Sequence, residues 1–301
     1  MKVLITGGTH GMGQGVARTL VRRDDVELVI LGRSEESLSH IADELSALGG
    51  QGRVSTVCCD LARLDDVRRA VDEILQAHPA LDALFVNAGL GYAPERVETE
   101  DGWLEHYQVN YLSHFMLTLP LLERLEASTV GGRVIFNVTD HGELDFDNLQ
   151  LSEGWTFENA VGVGMVAKHM MLLRLHQLYA ARPEPRVSMV GFSIPKMVWS
   201  HQIDIIPLLM RAPATLMKWL GQSFSIDECG ELMAPLFVDD VTTTQARAGR
   251  LLTHKDGAFV DVDSLPAREV PADWERLWNI SLEQCADPRT TAAAARLLAS
   301  P

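Results

Sequence analysis

Residues 1–15 read MKVLITGGTHGMGQG, and VARTLVRR follows at 16–23. An apolar run, a glycine cluster and then a helical pattern is how a buried strand passes into a helix whose amino terminus receives phosphate. Gly7, Gly11 and Gly13 stand at the spacing TGxxxGxG. Missing side chains at those positions permit a tight turn and let a pyrophosphate approach the backbone. With Thr6 before them and Met12 among them, they make this loop the expected cofactor-binding segment.

The pattern repeats along the chain. KVLIT precedes a helical stretch near 12–22, VELVIL one near 34–47, RVSTVCC one near 63–77, and LDALFVN a long one near 99–126. GRVIFNV precedes a helix near 160–181, and RVSMVGFS is expected to end the regular series. Strands that are continuously apolar are buried on both faces, so the spacing predicts a parallel sheet with helices on each side. The fold class is α/β, a doubly wound sheet. No linker or repeat divides the chain, so residues 1–301 are expected to form a single domain, with an apolar lid at 196–225 and a C-terminal helical extension at 272–301.

Composition narrows the partners. A formal net charge of −15 over 301 residues argues against nucleic acid, because binding a polyanion by bulk charge needs the opposite sign. Cys58, Cys59, Cys229 and Cys285 show no metal-ligand or disulfide spacing, so no metal is expected. The apolar stretch 203–224 is interrupted by Pro207, Arg211, Pro213 and Lys218, which argues against an integral membrane segment. No secretory leader is legible, and a cytoplasmic location is expected. Arg33 closes the second strand, where an acidic residue would accept the 2′-hydroxyl of NAD and a cation suits the 2′-phosphate of NADP. NADP(H) is therefore the expected cofactor.

Taken together, these residues and the motifs Asp60-Leu61 and Asn87-Ala88-Gly89 make the sequence similar to the short-chain dehydrogenase/reductase family, a Rossmann-fold family. FDNLQ at 146–150 and WERLWNISLEQC at 274–285 resemble its retinol-dehydrogenase-like branch. The resemblance implies that Thr6, Gly7, Gly11 and Gly13 form the cofactor loop and that Asp60 lies near the adenine. It implies that Asn87, Ala88 and Gly89 steady the sheet beside the cofactor, and that Asn110 anchors a water in a proton relay.

The catalytic pattern departs from that family. Its members place a serine after the fifth strand and a YxxxK pair on the next helix. Here the helix reads VGVGMVAKHMMLL, so Lys168 is present for the nicotinamide ribose while Gly164 takes the tyrosine position. Val161, at the longer spacing, offers no phenol either. NVTDHGE puts Asp140, or Thr139 with a one-residue slip, at the serine position. Asp140 and His141 are thus the candidate acid/base groups, whereas Glu143 reads as a solvated turn residue. Tyr92, after the Asn-Ala-Gly motif, is the remaining phenol near the edge and reads chiefly as a substrate contact. Gly164 is expected to leave room beside it, and Trp199 opens the apolar lid, which suits a bulky apolar or aromatic small molecule. A homodimer contact is another use for that apolar surface.

Three functions fit these features. The first is an atypical NADP(H)-dependent oxidoreductase, with Asp140/His141 in place of the Ser/Tyr proton chemistry. The second is a non-redox isomerase, dehydratase or cyclase on the same fold, and the third a catalytically silent nucleotide-binding protein. The Arg33 reading carries a direct test. NADPH should bind more tightly than NADH, and Arg33→Ala should remove about 1.5–3 kcal/mol of that difference, the scale of a charge-assisted phosphate contact. Titration calorimetry with both cofactors measures it, and equal dissociation constants for the unaltered protein refute it.

Overall fold

The computed structural model describes residues 1–139, 141–199, 219, 223–262 and 270–299. Strands β1 (Lys2–Thr6), β2 (Glu27–Gly32), β3 (Val54–Cys58), β4 (Ala83–Val86), β5 (Gly132–Asn137) and β6 (Val187–Phe192) pair in parallel. Their residues alternate between two cores. Leu4, Val29 and Leu31 pack on one face, while Val3, Ile5, Leu28 and Ile30 pack on the other. The apolar runs are unbroken because both faces are covered.

Helices α1 (Gly11–Val21) and α2 (Glu35–Leu45) cover the second face, and α3 (Leu64–Ala77) covers the first. Ser34 caps α2 by accepting from the Ser37 amide, with Glu35 and Glu36 in the first turn, the arrangement a helix amino terminus favours. The expected long helix near 99–126 is a short α4 (Glu105–Tyr107), a π-helical turn (Gln108–Leu112) and α5 (Ser113–Glu126) in succession. Pro120 lies inside α5. It has no N–H to offer the carbonyl of Met116, and the Thr290 hydroxyl, which donates to Asp287 Oδ2 at 2.7 Å, lies 3.4 Å from that carbonyl. Helix α6 (Phe157–Ala180) follows β5 and is almost wholly buried through its middle.

The strand series does not end at RVSMVGFS. Strand β7 (Met197–Val198) pairs in parallel with β8 (Ser223–Phe224) as a separate ribbon, and residues 200–218 and 220–222 of the expected lid lie outside the described residues. Helix α7 (Ile226–Val238) is closed at its start by a Ser225/Glu228 capping box, and a short α8 (Val241–Ala246) follows. Strand β9 (Leu251–Lys255) then joins β6, and β10 (Ala258–Asp261) turns back antiparallel on β9. These two strands escaped the pattern because β9 runs into Thr253, His254 and Lys255 and lacks a continuous apolar run. Asp256-Gly257, with φ of 51° and 84°, is the hairpin signal that marks them. Helices α9 (Pro271–Cys285) and α10 (Pro288–Ala299) cross α5, with Trp278 edge-on to Phe115 at 5.1 Å.

The strand order among the described residues is β3-β2-β1-β4-β5-β6-β9-β10. It reverses between β1 and β4, and ligands of doubly wound sheets sit at the carboxyl end of such a reversal. No helix among the described residues is long and apolar enough to cross a membrane.

Helix α7 meets α1 glycine to glycine. A Cβ on Gly230 would strike the Gly15 carbonyl and come within 2.6 Å of the Thr19 hydroxyl, and one on Gly15 would strike the Ile226 carbonyl. Backbone gives way less easily than a side-chain tip, so Gly230→Ala should lower stability by roughly 1–3 kcal/mol. Urea denaturation measures this, and an unchanged midpoint would show that the helices separate freely.

Candidate functional site

The reversal between β1 and β4 gathers most of the expected cofactor residues. The Gly7 amide donates to the Leu31 carbonyl at 2.8 Å, which ties the loop to β2. Gly7 has φ +66°, and a Cβ there would lie 3.0 Å from the Cα of Ala88; a Cβ on Gly13 would run into Gly7's own carbonyl. These two glycines let the loop fold on itself and against the end of β4. Gly11, at φ +58°, opens α1, and half-buried Met12 packs on the core beneath. His10, the residue before α1, places no side-chain cap on it, and no acidic residue stands in its first turn. That end of the helix offers its amides and the positive end of its dipole to an anion. Arg33 follows β2, exposed, with no ion-pair partner among the described residues.

After β3, Asp60 turns on itself, its Oδ1 accepting the Ala62 amide at 3.0 Å. Leu61 points into the core, and its carbonyl accepts the Ser113 hydroxyl at 2.6 Å. At the end of β1 the Thr6 hydroxyl joins four groups. It accepts the amides of Asn87 at 2.9 Å and Ala88 at 3.0 Å, it donates to Phe85 O at 3.1 Å, and it lies 3.1 Å from His114 Nε2. Asn87 Nδ2 returns to the Thr6 carbonyl at 2.9 Å. Gly89 passes Asn110 closely, since a Cβ there would lie 3.1 Å from Asn110 Oδ1. Asn110 uses its whole amide on the next residue: Oδ1 accepts from Leu90 N at 2.6 Å and Nδ2 donates to Leu90 O at 3.1 Å. Tyr92 rests edge-on against Phe157 at the start of α6, with ring centroids 5.2 Å apart.

Lys168 is fully buried on α6, and its Nζ has no hydrogen-bond partner among the described residues. Burial alone pulls its pKa from the ordinary 10.5 to about 7. His114 is also buried, and burial first, then the charge of Lys168, hold its pKa well below the usual histidine range. An amine desolvated without compensation is costly to the protein alone, and hydroxyl oxygens of a bound ligand would relieve it. This orphaned amine and the open end of α1 fit a nucleotide with a ribose and a pyrophosphate.

The family model described as short chain dehydrogenase matches residues 1–149. The chain is 30% identical to human polyprenol dehydrogenase over 184 residues, 59% of this chain and 55% of that protein. It is 35% identical to mouse retinol dehydrogenase 14 over 166 residues, 51% and 49% of the two. Residues 1–149 belong to the short-chain dehydrogenase/reductase family. The chain spans about half the length of the curated relatives it matches. Among solved structures, L-sorbose reductase from Gluconobacter frateurii superposes with a TM-score of 0.67 at 18% identity, over 87% of this chain and 97% of that one. Actinorhodin polyketide ketoreductase does so with a TM-score of 0.62 at 18% identity, over 84% and 94%. These likenesses show the Rossmann fold.

The family match stops before α6, the helix that carries Gly164 and Lys168. The expected room at Gly164 does not exist. A Cβ there would lie 2.6 Å from the Cβ of Asn110 and 3.1 Å from the carbonyl of His106. Without a side chain, α6 has closed onto the π-helical turn, so Gly164 is a point of helix contact and opens no substrate space. The other phenols are engaged in packing. Tyr107 donates to Gln284, Tyr111 meets Ser281 at 2.6 Å and Tyr179 donates to Glu126.

Past β5, Thr139 Oγ1 donates to the carbonyl of His141 at 3.3 Å, and His141 is exposed. Asp140 lies outside the described residues. Gly142, at φ +116°, comes so near α6 that a Cβ would lie 2.5 Å from the Cα of Gly162. Trp199 donates its amide to Phe224 O at 2.8 Å beside the small ribbon. Sequence reasoning passed over His106 and His114, although His106, Asn110 and His114 recur at every fourth position in an apolar stretch, a legible signal. The contact at Gly164 has a consequence. Gly164→Tyr restores the family's YxxxK spacing in the sequence, yet it should give no gain in ketone reduction and should lower the thermal midpoint, because the added ring meets Asn110. Melting and steady-state assays decide it, and a stable variant with new ketone turnover would overturn it.

Proposed function

We propose that the protein is an oxidoreductase that takes NADP(H) at the carboxyl edge of β1, β2 and β4 and acts on a bulky apolar or aromatic small molecule. The observation that carries this reading is Lys168, a buried amine without a hydrogen-bond partner among the described residues, at the position where the family holds the nicotinamide ribose. Arg33 supports NADP(H) over NAD(H), as do the sorbose reductase and polyketide ketoreductase structures, which hold NADPH. The polyprenol and retinol in the relatives' names support an apolar substrate. When bound, the nicotinamide supplies or accepts the hydride.

The chain's own groups then have distinct tasks. Lys168 and the first amides of α1 hold and orient, Arg33 takes the extra phosphate, and Tyr92 with Trp199 borders the substrate. Asp140 or His141 holds the proton that a tyrosine would otherwise exchange. A carboxylate at position 140 repels a developing alkoxide unless it is protonated. It therefore favours proton abstraction, or orientation of His141, over stabilising an oxyanion. The lack of a phenol at Gly164 also favours a second reading, acid/base catalysis without net redox change. Absorbance of the reduced nicotinamide during incubation with apolar aldehydes, ketones and activated alkenes separates the two. Net oxidation supports the first reading, product without it the second, and binding without turnover overturns both.

Lys168→Met should abolish measurable NADPH binding while raising the thermal midpoint of the cofactor-free protein at pH 7 by roughly 5 °C. The sign follows from the depressed amine. Between its folded pKa of about 7 and its ordinary 10.5, the unfolded chain binds more protons than the folded one, so wild-type stability rises with pH across that window. The advantage of the methionine variant should thus be largest below pH 7 and shrink towards pH 10.5. Melts across pH, paired with fluorescence titration of NADPH, check it; unchanged NADPH affinity in the variant would remove Lys168 from the site.

A further inference from the structure

His106, Asn110 and His114 stack on one face of the segment 105–126, because every fourth residue of a helix returns to the same side. All three are buried, His106 at 1% exposure and the other two at 0%, amid Tyr107, Val109, Tyr111, Leu112 and Phe115. Packing alone would be served by apolar residues, and burying three polar side chains is costly unless each is hydrogen-bonded. Asn110 and the Nε2 of each histidine find partners, all on one functional edge, while the two Nδ1 atoms have none among the described residues. His106 Nε2 donates to the Gly91 carbonyl at 2.8 Å. Asn110 clamps Leu90 through both its amide and its carbonyl. His114 Nε2 lies against the Thr6 hydroxyl that receives Asn87 and Ala88.

We propose that His106 and His114 are positioning residues which, with Asn110 between them, hold the loop Asn87–Tyr92 to the helix as three rungs and so set the floor of the nucleotide site. This inference rests on the reading of that edge as the NADP(H) site.

The hydroxyl of Thr6 shows how the inner rung works. Its two lone pairs are filled by the amides of Asn87 and Ala88, and its single proton is shared between Phe85 O and His114 Nε2. His114 therefore serves best as a neutral ring with a free Nε2 lone pair, and its burial keeps it neutral. The outer rungs explain Gly164. The carbonyl of His106 and the Cβ of Asn110 fill the space beside that glycine. The ladder therefore stands where a tyrosine on α6 would need to pass. In this chain the loop is held from the π-helical turn, with α6 pressed against the back of the same rungs.

The test uses the full chain and the variants His114→Leu, His114→Gln and His106→Leu, with NADPH as probe. Three readouts are taken: NADPH affinity by fluorescence, thermal midpoint, and amide hydrogen exchange of residues 87–92. His114→Leu should weaken NADPH binding about tenfold, the scale of leaving a buried partner unsatisfied, and speed exchange at Asn87 and Ala88. His114→Gln, whose amide reaches as far as Nε2, should recover most of both. His106→Leu should speed exchange at Gly91 and Tyr92 while leaving Asn87 and Ala88 protected. A lower midpoint with unchanged NADPH affinity and unchanged loop exchange makes the histidines packing residues and overturns the proposal. If His114→Leu fails to fold, His114→Gln and His106→Leu decide it: wild-type loop exchange in both overturns the ladder. Failure of the wild-type protein to bind NADPH or NADH falls on the cofactor reading, and the exchange of residues 87–92 then decides the ladder alone.

Discussion

One hydroxyl ties the sheet to its site. Thr6 sits at the last position of β1, where the strand order reverses, and its Oγ1 joins β1, the end of β4 and α5 through contacts of 2.9–3.1 Å. Two amides that would otherwise end β4 unsatisfied are bound there. Because Asn87 and Ala88 are held, Gly7 can approach Ala88 closely, and the glycine loop takes its shape against a fixed surface. Loss of this oxygen would release the loop, the end of β4 and the helix behind it together.

The same edge carries an unfavourable group. Lys168 is buried without a hydrogen-bond partner among the described residues, and burying an amine in that way is costly. A site that is destabilising when empty and stabilising when filled couples folding to ligand binding. Elsewhere the packing leaves no slack. Gly15 meets Ile226 and Gly230, Gly142 meets Gly162, and Gly164 meets Asn110, each at a distance no side chain permits. These contacts set α1 against α7 and α6 against both the β5 loop and the π-helical turn.

The family match divides this chain at the end of its first half. The cofactor half, from Thr6 to Asn110, keeps the family's residues and lies within or beside the matched stretch 1–149. The α6 half keeps Lys168 but has closed over the tyrosine position. Past β5, Thr139 is half-buried and His141 is exposed. The loop after β4 is secured by histidine and asparagine from the segment 105–126.

Much of this was legible in the amino-acid sequence alone. Six apolar strands, their helices, the glycine loop and Arg33 are marked by periodicity, glycine spacing and local residue type, all properties of neighbours along the chain, while Lys168 was singled out through the family resemblance. Strands β9 and β10 were marked only by Asp256-Gly257, because strands half-exposed to solvent near the sheet's edge lose the apolar run that identifies central ones. Gly164 was read as an opening, since an absent side chain in a sequence looks like space. Tertiary packing decided otherwise: two helices approached until Asn110 filled it. In the same way, the sequence placed His106, Asn110 and His114 on one helix face, but only the folded chain brought Gly91, Leu90 and Thr6 opposite them. Partners distant in sequence, here His114 and Thr6 across 108 positions, are chosen by the packing of layers, which no local pattern encodes.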